Sequence, residues 1–293
     1  MRSVDDGTEA ARHGPSSWRW RRRAGLVLLE TVLGPAHLAF TSRQGGVSAP
    51  PFATLNLGLG LGDRDANVAE NLGRLVAALG HAGVVASARQ VHGARVVRVG
   101  GASGQSVPDA DGLVSTEPGV ALLLRFADCV PVFLVAPGPR PAVALVHAGW
   151  RGLAAGVVEA GVGAVCEASG AQPSALLGAI GPAIGPSYEV DAPVLDALRA
   201  RYAGAAAWWG EDRVLDMTRA VREALTLHGI ERTHLVETTE RTESPAFFSH
   251  RASGGRTGRM AAVIRLGVDR PDDGGNAFPL AKKAPLRDWE GHE

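Results

Sequence analysis

The stretch FADCVPVFLVAPGPRPAVALVHAGWRG, Phe126–Gly152, holds two apolar runs, each with a reactive side chain at its end. The first, Val130–Ala136, follows Asp128 and Cys129 and carries Pro131. The second, Ala142–Val146, runs into His147-Ala148-Gly149-Trp150-Arg151-Gly152. Continuous apolar, β-branched residues bounded by Pro and Gly predict two buried strands. Proline cannot donate to a ladder, so Pro131 marks a strand start or an edge. Asp128 is costly to bury unpaired. A strand end followed by a Gly-containing turn and a helix start is where open α/β sheets place ligands, and a helix N-terminus there favours an anion. The two runs therefore read as core strands whose ends present Cys129 and His147 to one site. The backbone leaves the ladder at Pro131 and at Gly149.

Further strands are predicted at HLAFTSR, ARVVRVG, VALLLRF, HLVET and RMAAVIRL. Asp65–Leu79 has helical spacing at Val68, Leu72, Leu75, Val76 and Leu79, with Gly80 as its stop. A second helix is expected over Leu153–Ala168, stopped by Gly170. A third is expected from Asp216 as cap to Leu227. A strand-rich middle with scattered helices predicts a mixed α/β (α+β) fold, a single domain of mixed sheets flanked by helices. The domain is expected over residues 25–267. Residues 1–24 read as a disordered basic arm and 268–293 as a disordered tail rich in Pro, Gly and charge.

The chain of 293 residues is long enough for a sizeable core. With 45% hydrophobic and 20% charged residues it reads as soluble and globular. Its formal net charge is zero, so no global field draws it to nucleic acid or a membrane. Arg19 and Arg21–Arg23 precede the apolar run Ala24–Leu29 as in a signal peptide, but Glu30 interrupts that run and no cleavage site follows. No apolar stretch approaches the ~20 residues that span a bilayer. The two cysteines make no disulfide framework and point to a reducing, cytoplasmic compartment. Oligomeric state is left open.

Cys166, inside a helix, reads as an inert small hydrophobe. Cys129, between Asp128 and a strand start, does not. His92 in QVHGARV precedes Gly93, which permits a close approach. Two histidines and a thiolate suit zinc, and three protein ligands with one open position describe a catalytic site. Their spacing matches no local zinc pattern, so the residues alone also allow histidines merely satisfied at strand ends.

The stretches TSRQGGVSAPPFATLNLG, VAENLGRL, QVHGARV, ADGLVS, ADCVPV, VHAGWRG, LGAIGPAIGPSYEV and FFSHRASGGRTGRMA follow one another from about residue 36 to 267. In kind and order they resemble the YfiH family, also called the laccase-domain or multicopper polyphenol oxidase family, whose members are described as purine nucleoside phosphorylases. The resemblance implies a single α/β domain and a zinc held by His92, Cys129 and His147. It also implies phosphorolysis of adenosine, inosine and S-methyl-5′-thioadenosine, with adenosine deamination alongside. Three positions depart from the family pattern: Thr239 where a cysteine is common, His250 for the tyrosine of FFSYR, and Phe126 where a small hydroxyl residue is common. They bear on substrate preference rather than on the metal triad. A multicopper oxidase is the weakest reading. The chain has nine histidines but no His-x-His pair, and neither His nor Met follows Cys129 on its loop as a blue-copper site requires. A His2Cys set can still take copper under copper load.

Phosphorolysis needs phosphate held against an oxocarbenium-like centre while the purine departs. Arg43, in a Gly-rich segment, and Arg151, at a helix start, are the phosphate candidates because arginine offers a planar fork of donors. Deamination needs water activated at a metal with an open position. Asp128 is expected either to orient a ligand histidine or to act as a base. Asn56 is the candidate for ribose hydroxyls, and Ser187-Tyr188-Glu189 is expected to shape a loop. Two other classes compete. One is a metal-free Cys-His hydrolase with Cys129 as nucleophile, which would suit a deamidase or the peptidoglycan-precursor editing that some relatives are linked to. The other is a non-catalytic zinc-binding interaction protein.

Overall fold

The structure, a computed structural model, describes residues 17–101, 106–185, 188–202 and 213–267. Two mixed sheets lie face to face between helices. The seven-stranded sheet is ordered β1 (Arg19–Arg23), β2 (Leu26–Leu33), β3 (Ala36–Thr41), β15 (Met260–Leu266), β8 (Val120–Phe126), β4 (Val84–Ala88), β6 (Ser106–Val107). The six-stranded sheet is ordered β14 (Leu235–Glu237), β11 (Leu177–Ile180), β9 (Val130–Ala136), β10 (Ala142–Ala148), β7 (Gly112–Ser115), β5 (Val96–Arg98). A small ladder joins β12 (Tyr188–Glu189) to β13 (Val214–Leu215). Helix α1 (Asp65–Ala78) covers the outer face of the larger sheet. Helices α2 (Trp150–Ala155), α3 (Val157–Ser169), α4 (Ala192–Arg201) and α5 (Met217–Leu227) cover that of the smaller. The α/β single-domain expectation is met.

This layering explains the continuous apolar strands. In β8, Leu122, Leu124 and Phe126 face the inter-sheet core, whereas Ala121 and Leu123 face α1. In β10, Val143 and Leu145 face between the sheets, and Ala144 and Val146 face the helices. A strand covered on both faces has no polar face to alternate with. In the core Phe40 is tilted against Phe126 and stands edge-on to Phe247, with centroids 6.0 and 5.7 Å apart.

Two expectations change. The expected helix Leu153–Ala168 is two helices, because Gly156 adopts φ 89°, a left-handed conformation that ends α2 and starts α3. The segment expected as a disordered arm contains β1, whose residues pair with Leu26–Glu30 of β2. Trp18 and Trp20 anchor it, with ring centroids 5.6 Å from Phe133 and from Phe247. Residues 1–16 and 268–293, for which disorder was also expected, lie outside the described residues.

At one end of the molecule the chain passes from the larger sheet to the smaller three times. β4 leads to β5, β6 to β7, and β8 to β9. Because β4, β6 and β8 are mutually parallel, all three leave the larger sheet at the same end. β10 runs antiparallel to β9 and returns there, with His147 opposite Pro131.

Candidate metal centre

Each crossing contributes. His92 lies between β4 and β5, Asp111 between β6 and β7, and Cys129 between β8 and β9. The returning strand supplies His147. The ligand atoms of His92, Cys129 and His147 all lie within 4.8 Å of one another. The histidine rings stand edge to face, 4.9 Å apart. His147 is buried, Cys129 half-buried and His92 exposed, so the cluster opens to solvent on the His92 side. Zinc takes nitrogen and thiolate ligands at ~2.0–2.3 Å, so atoms this close can share one ion after small rotations, leaving an open coordination position. The three thus fit a metal of that type. Phe126, noted above as a departure from the family pattern, packs edge-on to His147 with centroids 5.3 Å apart.

Backbone geometry holds the cluster. His92 and Asp128 adopt φ of 60° and 85°, in the left-handed region that side chains avoid. Gly149 is required at its position, since a Cβ would stand 2.9 Å from His92 Cδ2 and 3.0 Å from Cys129 Sγ.

The carboxylate that orients the ligands is Asp111, not Asp128. Asp111 is fully buried and accepts four hydrogen bonds. Its Oδ1 takes His147 Nδ1 at 2.8 Å and the His92 N–H at 2.9 Å. Its Oδ2 takes the N–H groups of Val91 and Gly93 at 3.1 and 2.7 Å. Burial works against this carboxylate, but the bonds from His147 and from the loop outweigh it and hold its pKa below the ordinary value. Asp128 makes no such bond. Its Oδ1 accepts the Thr242 hydroxyl and its Oδ2 the Arg251 N–H, both at 2.7 Å, and its carbonyl accepts the Ile184 N–H. It ties three loops to the strained crossover beside Cys129. Asp111 carried a sequence signal, an Asp-Gly pair at a strand start in ADGLVS, but nothing local to it names His147.

Burial opposes the Cys129 thiolate, yet the charge and hydrogen bond of His147 and the hydrogen bond of His92 outweigh it, bringing the thiol down to about 6. Burial likewise opposes the His147 cation, and the Cys129 charge with the Asp111 hydrogen bond outweigh it, lifting His147 to about 9. The two shifts run in opposite directions, each group favouring the charged form of the other. Cys166 lies on α3, and burial pushes its thiol upward.

The expected substrate residues scatter. Asn56 is fully buried with every polar atom engaged: its amide donates to the Gly58 carbonyl and Asp63, and its Oδ1 accepts from Gly58 and Arg259. It has nothing left for ribose and instead builds the 56–58 loop. Arg151 is exposed at the start of α2, its guanidinium 4.5 Å over the Trp150 ring. Arg43 is half-buried, donates to the Ala53 carbonyl at 2.8 Å and lies 4.5 Å over the Phe248 ring. Tyr188 and Glu189 form the short strand β12, and the Arg251 side chain caps the Glu189 carbonyl. Sequence reasoning missed Arg259, half-buried, whose charge is felt by Cys129 and Asp128.

A sandwich of two sheets whose crossings gather two histidines and a cysteine defines the class. Residues 37–267 match the family described as multi-copper polyphenol oxidoreductase laccase, and the chain belongs to that family. Among its relatives, purine nucleoside phosphorylase YlmD of Geobacillus stearothermophilus is 40% identical over 241 residues, 76% of this chain and 88% of that protein. Purine nucleoside phosphorylase YfiH of Shigella flexneri is 39% identical over 230 residues, covering 77% of this chain and 92% of that protein. The crystal structure of the Geobacillus YlmD superposes with TM-score 0.79 at 36% identity, covering 87% of this chain and all of that one. Among the described residues, no helix is long and apolar enough to cross a membrane.

Proposed function

We infer that this chain is a zinc-dependent purine nucleoside phosphorylase acting on adenosine, inosine and S-methyl-5′-thioadenosine, with adenosine deamination as a second activity. The carrying observation is the His92-Cys129-His147 cluster, oriented by a buried carboxylate and open on one side. The names of the relatives support the class of reaction. A zinc there would supply Lewis-acid polarisation at an open coordination position. The remaining work falls to the chain. Asp111 holds the proton on His147 Nδ1, which leaves Nε2 for the ion. Asp128 keeps the Cys129 turn in its strained conformation. Arg43 is our first candidate to hold phosphate, because a guanidinium offers a charge-assisted fork. Arg151, exposed and stacked on Trp150, is the weaker candidate. Cytoplasmic action on small nucleosides, without nucleic acid or membrane partners, accords with a formal net charge of zero.

A metal-free Cys-His hydrolase is favoured by one observation, the thiolate-imidazolium pairing of Cys129 with His147. One experiment separates the two. Purified protein is analysed for metal and incubated with adenosine and phosphate. About one zinc per chain, with adenine and ribose-1-phosphate formed, supports the phosphorylase. Cys129→Ala should lose both together, and Cys166→Ala neither. Metal-free protein that forms no ribose-1-phosphate but hydrolyses amide substrates through Cys129 would favour the hydrolase.

A further inference from the structure

Of the two histidines in the cluster, only His147 has a carboxylate on its ring. Asp111 Oδ1 lies against His147 Nδ1, whereas among the described residues no carboxylate is within ion-pairing distance of the His92 ring. His92 is therefore placed through its backbone. Burial does little of that work, because Arg89, Val91 and His92 are all exposed, Val91 by 46%. Hydrogen bonds have to hold the loop.

One anchor is Asp111, which takes the N–H groups of Val91, His92 and Gly93. The other is Gln90. β4 pairs with β8 from Val84 opposite Val120 to Ser87 opposite Leu123. Beyond Ala88 the main chain turns to the β6 side, where the Arg89 N–H donates to the Val107 carbonyl and the Arg89 carbonyl accepts the Ala110 N–H. The Gln90 side chain reaches back to β8. Its Nε2 donates to the Arg125 carbonyl and its Oε1 accepts the Arg125 N–H, both at 2.8 Å. The amide thus stands in for a rung of the ladder that the β4 backbone no longer makes, while Ala261 of β15 lies opposite Arg125 on the other side.

Gln90 and His92 share one turn, and Arg125 is the penultimate residue of β8, the strand that leads into Asp128 and Cys129. Two bonds from one planar amide fix both distance and orientation, which a single bond does not. They act on a loop under strain, since His92 adopts φ 60°. Such a conformation persists only where its surroundings over-determine it.

We propose that Gln90 is a positioning residue: its two-point bond to the Arg125 backbone fixes the loop that carries His92 to the strand that delivers Cys129, and so sets the separation of these two ligands. That this helps a metal bind rests on the reading of the cluster as a zinc site; that it holds the loop does not.

Two measurements on the full chain test it: amide hydrogen exchange of the metal-free protein by NMR, and zinc affinity by competition with a chromogenic chelator. Gln90→Met keeps the length and loses both bonds. The amides of Val91, His92 and Gly93 should then exchange roughly tenfold faster. Zinc affinity should fall about tenfold, the low end for groups behind a metal ligand, because Gln90 acts through the backbone. Gln90→Asn keeps the amide but is one methylene too short for both bonds. It should lie between, and it decides if the methionine variant fails to fold. Arg222→Met controls for simple destabilisation. It breaks the Arg222–Glu237 pair between α5 and β14, and should lower Tm with loop exchange and zinc affinity unaltered. Unchanged loop exchange in the Gln90 variants overturns the proposal, as does faster exchange with unchanged zinc affinity. Equal effects in Arg222→Met overturn it too. A wild type that binds no zinc, with faster loop exchange in Gln90→Met, would sink the zinc reading and leave the clamp on the loop standing.

Discussion

His147 Nδ1 lies 2.8 Å from Asp111 Oδ1, although 36 residues separate them in the chain, and the same carboxylate accepts the backbone N–H of His92. One buried side chain thus sets the tautomer of one candidate metal ligand and the position of another. Asp111→Asn keeps the shape and removes the charge. It should weaken zinc binding about 10- to 100-fold, the usual effect of losing a carboxylate behind a ligating histidine. Competition with a chromogenic chelator measures it. Asp111→Ala should also lower Tm by several degrees, because three half-buried loop N–H groups lose their shared acceptor, each bond being worth ~0.5–1.5 kcal/mol. Wild-type zinc affinity in both variants would show that Asp111 merely fills space.

Gly149→Ala changes no ligand, yet its Cβ would stand 2.9 Å from His92 Cδ2. The His92 loop must move away, so metal stoichiometry should fall well below one per chain at micromolar zinc. Circular dichroism should report an intact fold. Alanine tolerated with full metal content would mean the loop is not held where the structure puts it.

In the metal-free protein Cys129 should react as a thiolate at unusually low pH. Its alkylation by iodoacetamide, followed by mass spectrometry, should rise through a midpoint near pH 6, because the Cys129 thiol is brought down to about 6. Cys166, pushed upward by burial, should react only in the alkaline range. His147→Ala should move the Cys129 midpoint upward, since the cation that stabilises the thiolate is gone. Coincident profiles for the two cysteines would contradict the pairing.

Arg43→Ala should separate the two chemistries. Phosphorolysis uses phosphate and deamination uses water, so losing a phosphate contact should cost on the order of 2–4 kcal/mol, roughly 30- to 1,000-fold, in phosphorolysis. Deamination should fall far less. The ratio of adenine plus ribose-1-phosphate to inosine, from one adenosine incubation, reads this directly. Equal loss of both would reassign Arg43 to supporting the fold through Ala53 and Phe248.

Deleting residues through Ala24 should destabilise the protein more than deleting through Ser16. The longer deletion removes β1 and the tryptophans packed on Phe133 and Phe247. Burying one large side chain is worth ~1.5–3 kcal/mol, so Tm should differ by several degrees. Equal melting temperatures for the two truncations would show that β1 adds nothing.

The strands VALLLRF and VPVFLVA were legible because both faces of each are covered, which writes an unbroken apolar run into the chain. Helix α5 was legible from Asp216, whose side chain accepts the Arg219 N–H at its start. Two other strands were not. RWRRR pairs with β2 but carries no apolar period, and GLVS is too short for one. Motif resemblance pointed to the three ligand residues, and their side-chain chemistry suggested zinc. It could not choose a carboxylate: Asp128, next to Cys129 in sequence, was the natural guess, and Asp111 does the work. Nor could it see that Asn56 is consumed by its own loop and by the Arg259 N–H. Residue type and local period were determined by the sequence itself, because burial on one or two faces is a local pattern. Which side chains share a site was decided only when three crossings brought distant strand ends to one edge of the sandwich, since hydrogen bonding and desolvation act through space.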